Sequence, residues 1–297
     1  MHSRKTDPLG DASFSEIEVL LGSPVRRWTD LKERIQQQNL KNFSDVVEQF
    51  LELLWCLDQY KVLSIAPRGL GADLSGSYRM KGNWFADLIS LLLVNQTNSP
   101  IAPRSNIQGF SQVHQIDIAW PAQRIVPLVC VETKVMGGPA VGRTPARGAT
   151  SDWSNRRKEL KFQAADLKLF RRQQETHIDH WDNWRTAAPP SVYFLWCARM
   201  APGVDNLDKM VRELRALTET YLDGAGLFAY RENQGGDGYE SVAIPWVDRI
   251  VDIEDLVHRI ANQINDKAAF AEAEEERRPV PAVKLSSLQP DLLEPDD

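Results

Sequence analysis

The sequence predicts an α/β fold: a central mixed β-sheet flanked by helices, with an N-terminal helical elaboration. Three observations predict it. Segments with the three-and-four apolar spacing of a helix alternate along the chain with short runs rich in Val and Ile. Two of those runs, Val113–Trp120 and residues 125–135, are separated by a hairpin-length connection, so they should pair antiparallel. The apolar run at 191–198 follows a long helix, which is the connection that a parallel strand needs.

Residues 1–14 are polar and predict no element. Over 43–60, Val46, Val47, Phe50, Leu51, Leu54 and Leu57 recur at helical spacing. Residues 66–82 hold four glycines and predict a loop; Asn83 then suits the N-cap of a helix over 84–94. That helix is apolar nearly all round and belongs deep in the core. A Pro-containing stretch at 99–104 leads into the hairpin. Residues 136–150, with four glycines and two prolines, predict a mobile loop. Ser151 or Asp152 caps a long helix ending near Gln174. A helix over 206–221, a strand over 226–230 and a helix over 253–264 complete the order. From about Ala268 the Glu-rich, Pro-containing end predicts disorder. The chain thus divides into a helical region with its Gly-rich loop (1–80), a core with a C-terminal elaboration (81–265) and an acidic tail (266–297).

The 297 residues are 42% hydrophobic, enough for a substantial core. With 35 Lys and Arg against 41 Asp and Glu, the net charge of -6 argues against a protein that coats nucleic acid non-specifically. The charge is uneven, however: residues 265–297 carry -5 and residues 141–175 carry +5. No apolar run approaches the ~20 residues of a membrane helix, and the first residues lack the apolar core of a secretory signal. Cys56, Cys130 and Cys197 lie in apolar stretches and read as buried thiols of a reducing compartment. A cytoplasmic location is expected, with no membrane partner.

Three charges stand where core strands should be apolar. Glu132 and Lys134 interrupt the run at 129–135, and Asp117 interrupts Val113–Trp120. Side chains two apart in a strand share a face, so Glu132 and Lys134 point the same way and Thr133 points away. Antiparallel pairing brings Asp117 opposite the neighbourhood of 130–132. Buried charges are costly unless paired or holding a metal, and two adjacent carboxylates repel until a cation relieves them. Hard oxygen ligands suit Mg²⁺, with Mn²⁺ as a substitute. The Thr133 carbonyl lies between the two side chains as a further ligand. Metal-assisted phosphodiester hydrolysis fits this set. An ordinary ion pair on a half-solvated strand is the other reading.

Asp117, followed after fourteen residues by Glu132-Thr133-Lys134 on an apolar strand, resembles the PD-(D/E)XK nuclease superfamily. The resemblance spans roughly residues 81–198 and includes a buried helix before the hairpin, a helix after the lysine and the strand at 191–198. Lys81-Gly82 resembles the entry to this core in junction resolvases. The resemblance implies a restriction-endonuclease-like core and an Mg²⁺-dependent DNA endonuclease of type II restriction kind. It implies Asp117, Glu132 and Lys134 as catalytic residues, double-stranded DNA as substrate and a homodimer that cuts both strands. The alternatives are a structure-selective junction or repair nuclease and a non-catalytic interaction protein retaining the fold.

Ile116 stands where the family often has proline. The family also frequently has an acid in the first helix, for which Asp87 is nearest, with Glu48 and Glu52 behind it. Gln163 matches a glutamine or lysine that supports the site in many members.

The basic residues suggest where DNA would lie. On the helix over 151–174, Arg157, Lys161, Lys168, Arg171 and Arg172 fall in one arc, with Leu160, Phe162, Leu167, Leu169 and Phe170 in the rest. Arg143 and Arg147 of the preceding loop, and Arg79 and Lys81 of the earlier one, are further candidates. A solvated charged face is the commoner explanation of such a stripe. His177 and His180 form a possible metal pair or a polar helix end. Trp153, Trp181 and Trp184 suit core packing or base stacking.

Overall fold

The computed structural model describes residues 22–65, 71–121, 127–141, 145–175, 189–201, 203–244 and 251–276. It is an α/β fold whose mixed seven-stranded sheet lies between two helical layers. Helix α1 (Pro24–Gln37) starts at Ser23, whose hydroxyl accepts from the Arg26 N–H, with Pro24 placed where a missing donor costs nothing. Helices α2 (Val47–Tyr60) and α3 (Gly71–Thr97) follow, α2 running directly into a π-helical turn at Lys61–Ile65.

Over 71–82 helix α3 corrects the expected loop: it begins at Gly71, twelve residues before the anticipated Asn83 cap, while 66–70 lie outside the described residues. Gly76 and Gly82 have no atom near their missing Cβ, so these glycines mark no close approach. Their ~1 kcal/mol helix penalty is overridden by the burial of Phe85, Leu88, Ile89 and Leu92 on the same helix.

Strands β1 (Ala102–Gln108), β2 (Val113–Trp120) and β3 (Val129–Met136) form an antiparallel meander. The prolines at 100 and 103 hid β1, which forms the sheet edge where a missing N–H is tolerated. Helix α4 (Trp153–Glu175) crosses over to β4 (Ser191–Arg199), parallel to β3. Helix α5 (Leu207–Thr218), capped by the Asn206 side chain, leads to β5 (Gly224–Glu232), parallel to β4. Strands β6 (Tyr239–Val242) and β7 (Val251–Asp252) both pair with β5. Helix α6 (Ile253–Glu276) runs past the anticipated disorder boundary at Ala268. Residues 277–297 lie outside the described residues, as do Arg143, His177, His180, Trp181 and Trp184.

One core layer joins α1, α2, α3 and α6 to a sheet face through Ile118, Val131, Leu195 and Tyr230. The other joins α4 and α5 through Ile116, Cys130, Phe194 and Leu227. Within α4, Leu160, Ala164 and Leu167 are buried, whereas Phe162 and Leu169 are half exposed rather than part of the apolar face expected of them. Trp153 stacks on Trp196 in the core at 4.3 Å, which settles it as packing. All three cysteines are buried, and burial pushes the Cys130 and Cys197 thiols up, out of any nucleophilic range. Among the described residues no helix is long and apolar enough to cross a membrane.

Candidate active site

Strand β2 changes face at Asp117. Ile116 belongs to the core under α4, while Ile118 and Trp120 belong to the core under α1–α3, although side chains two apart in a regular strand share a face. The ladder to β1 pairs Ser105 with Ile116 and Pro103 with Ile118, skipping the Arg104–Asp117 step, and Arg104 has φ 56°. On the other side, the ladder to β3 runs only to Ile118↔Val131, one step short of Asp117. Asp117 therefore sits at a break in the β1 ladder and just past the end of the β3 ladder, the kind of irregularity that re-aims a side chain beside a site.

The three expected charges do converge. Lys134 Nζ lies 3.1 Å from Glu132 Oε2 and 3.9 Å from Asp117 Oδ2. Asp117 Oδ2 accepts the Thr133 N–H at 2.8 Å and the Thr133 hydroxyl at 3.0 Å. Strand alternation points Thr133 away from the pair; its hydroxyl instead reaches across the broken ladder to hold Asp117. Glu132 is buried, and its Oε1 accepts the Gln163 amide of α4 at 2.9 Å. Gln163 thus stands where the sequence placed it.

The environments of the two carboxylates differ. Burial, reinforced by the charge of Asp117 and opposed by Lys134, pushes the Glu132 carboxyl up to about 7. Burial also works against the Lys134 ammonium, but Glu132 and Asp117 outweigh it and raise this amine above its ordinary value. Asp117 and Lys134 each remain about a quarter exposed, so the cluster opens to solvent on one side.

Other expected participants lie elsewhere. Asp87 pairs with Arg104 at 2.6 Å, and among the described residues no three His, Cys, Asp or Glu side chains gather as a metal site. It is therefore not a third acid of this cluster, and Glu48 and Glu52 are exposed on α2. Lys81 is not a surface cation. It is buried against Asp58 at 2.6 Å, in a cluster where Lys61 lies 3.3 Å from the same carboxylate and Tyr239 donates to it at 2.7 Å. The two lysines, more than offsetting burial, hold the Asp58 carboxyl below the usual range.

The basic stripe of α4 is largely used within the chain. Arg157 pairs with Glu213 of α5, Lys161 lies 5.0 Å over the Tyr221 ring, and Lys168 pairs with Asp223 at 2.8 Å. The side chain of Arg171 lies outside the described residues. Arg79 and Arg147 are exposed as expected. The loop bearing Arg147 is pinned rather than free: Gly138 and Arg147 exchange backbone hydrogen bonds, and Asp205 accepts the N–H groups of Ala149 and Thr150.

Sequence reasoning missed a second arrangement on α4. Buried His114 lies 2.7 Å from Asp166 Oδ2, while the Ser111 N–H and hydroxyl each donate to Oδ1 at 2.8 Å. The Asp166 carbonyl also accepts the Phe110 N–H at 3.0 Å. One helix residue thereby clamps the whole β1–β2 turn. The only sequence signal was His114, three residues before Asp117.

No family model, curated protein or solved structure matches this chain.

Proposed function

We propose that the chain is an Mg²⁺-dependent endodeoxyribonuclease of the PD-(D/E)XK type, with a restriction-endonuclease-like core. One observation carries the reading: a lysine ammonium held between a buried carboxylate and one about a quarter exposed, where the cluster opens to solvent. A purely structural ion pair needs one acid. A second acid, brought in where the ladder to β1 is broken, adds repulsion that a hard divalent cation offsets.

The donor set fits that ion. Mg²⁺ sites commonly use one or two carboxylates and keep several waters, so Asp117, Glu132 and the Thr133 carbonyl suffice without Asp87. Mn²⁺ accepts the same ligands. When bound, the ion supplies Lewis-acid polarisation of the scissile phosphate and a more acidic coordinated water.

The chain's own residues do the rest. Gln163 fixes the Glu132 carboxylate, and Thr133 fixes that of Asp117. Lys134 keeps its proton and is free to hold a water or a phosphate oxygen on the solvent side. Exposed Arg79 and Arg147 are available to backbone phosphates. Double-stranded cleavage of the type II restriction kind suggests a homodimer with two such sites.

The test is incubation of the full chain with supercoiled plasmid and linear duplex, in Mg²⁺, Mn²⁺ or EDTA. Metal-dependent nicking that falls at least a hundredfold in Lys134→Ala and Asp117→Asn supports the reading. DNA left intact by the wild type in both metals, or equal cutting by Lys134→Ala, overturns it.

A further inference from the structure

The β1–β2 turn is built with unusual rigidity around a side chain that points away from the core. Gly109 has no room for a Cβ, which would meet Asp166 Oδ2 at 2.1 Å and the Gln112 carbonyl at 2.9 Å. The buried His114–Asp166 pair and the two Ser111 hydrogen bonds hold the turn against α4. Phe110, at the tip of that clamp, is nevertheless 53% exposed. On α4, one turn before Asp166, Phe162 is 50% exposed, its ring set edge-on to His114 at 5.7 Å. Val113 and Leu169 flank them and are also exposed.

Exposed large apolar side chains are rare among the described residues, and half of them lie on these neighbouring elements. The four together show on the order of 350 Å² of surface. That is less than half of the ~800 Å² per partner in a standard protein interface, so the patch is too small to seat a second copy by itself. It is the right size for one or two flat rings. Phe162 also directly precedes Gln163, which grips Glu132, and Lys158, one helical turn earlier, is an exposed cation without an ion pair among the described residues. Exposed aromatic rings on a pinned turn and on the helix that carries Gln163, with an exposed cation one helical turn away, suit a nucleobase that has left its stack.

We propose that Phe110 and Phe162 form a stacking shelf for an unpaired base, so that the favoured substrate is DNA with single-stranded or distorted character next to the cleaved phosphate. This rests on the nuclease reading and narrows it toward structure-selective cleavage. An intact duplex keeps its bases stacked inside and offers the shelf nothing; a flap, bulge or branch offers a base at little unstacking cost.

The experiment measures binding in EDTA, separating it from cleavage. The full chain is titrated into oligonucleotides carrying 2-aminopurine in a single strand, in a three-base bulge and in a fully paired duplex. The wild type should quench the unpaired probes and bind them at least tenfold more tightly than the duplex. Phe162→Ala and Phe110→Ala should each lose roughly tenfold on the unpaired probes, and Phe162→Tyr should retain most of the affinity. Both rings are half exposed, and matching thermal melts will verify that the variants fold.

Equal binding of paired and unpaired probes overturns the shelf, as does alanine substitution without effect. So does conversion of a dimer to a monomer by Phe162→Ala in sedimentation, because the patch would then be covered by a second copy. Plasmid cleavage in Mg²⁺ is scored separately. Cleavage without shelf-dependent binding removes only the shelf, whereas shelf-dependent binding without cleavage in any metal removes the nuclease reading.

Discussion

The Gln163 amide donates to Glu132 Oε1 at 2.9 Å while Lys134 takes Oε2 at 3.1 Å, so both oxygens of a buried carboxylate are oriented by separate elements. Helix α4 and strand β3 are thereby tied at a carboxylate of the proposed metal site. Groups that orient ligands typically change metal affinity or activity ten- to a hundredfold when removed. Gln163→Leu should therefore lower Mg²⁺-dependent cleavage by about that factor, with the loss appearing mainly as a higher Mg²⁺ requirement. Cleavage titrated against Mg²⁺ concentration checks this; an unchanged half-saturation point would assign Gln163 to packing.

Glu132 makes stability and function pull in opposite directions. A carboxyl that titrates near 7 instead of 4.5 binds its proton more tightly in the folded chain than in the unfolded one. Between those values the folded state holds more protons, so stability falls as pH rises through this window, by at most about 3 kcal/mol. Glu132→Gln removes the ionisation but keeps an oxygen for Gln163. The metal-free variant should melt higher than the wild type above pH ~7, with a flatter profile below it, while losing cleavage. Melting curves across this range, with and without Mg²⁺, test it; added Mg²⁺ should raise the melting temperature of the wild type only.

The site was legible in the sequence because three charges interrupted otherwise apolar strands. Strand periodicity placed Glu132 and Lys134 together, and the short hairpin brought Asp117 to them. What periodicity could not show was the change of face at Asp117, which depends on a broken ladder to β1, a strand concealed by Pro103. The first turns of the helix Gly71–Thr97, before Asn83, were missed because glycine content spoke for a loop, while the deciding term was burial of the same helix against α2 and α6. The basic arc of α4 was real as a pattern. What it could not show is that much of it is tied within the chain, because Glu213, Tyr221 and Asp223 lie far along the sequence and only folding brings them to Arg157, Lys161 and Lys168.

Lys81 and Arg147 should behave in opposite ways. Removing Asp58 leaves the buried amines of Lys61 and Lys81 without their shared carboxylate, so Asp58→Asn should destabilise the fold by about 3 kcal/mol or more. Lys81→Met should also destabilise, yet the folded variant should bind DNA with the wild-type salt dependence. Arg147→Ala should leave the denaturation midpoint within about 0.5 kcal/mol and lower the salt slope by roughly one contact. Denaturant titration alongside binding at several salt concentrations separates these effects. A reduced salt slope in Lys81→Met would return Lys81 to the DNA surface.

Two glycines give opposite predictions for the same substitution. At Gly109, an added methyl would meet Asp166 Oδ2 at 2.1 Å, and that oxygen cannot retreat without loosening its 2.7 Å contact with His114. Gly109→Ala should cost about 1–3 kcal/mol and weaken the clamp that presents Phe110. Gly82 lies inside α3, and a methyl group added there would have nothing within 4 Å. Gly82→Ala should stabilise by about 0.5–1 kcal/mol, because alanine restricts the unfolded chain and suits a helix interior. Urea denaturation of both variants distinguishes the contributions. Should Gly109→Ala unfold at the wild-type midpoint, the turn is not held as tightly as its contacts indicate; should Gly82→Ala lose stability, α3 does not extend through Gly82 as a regular helix.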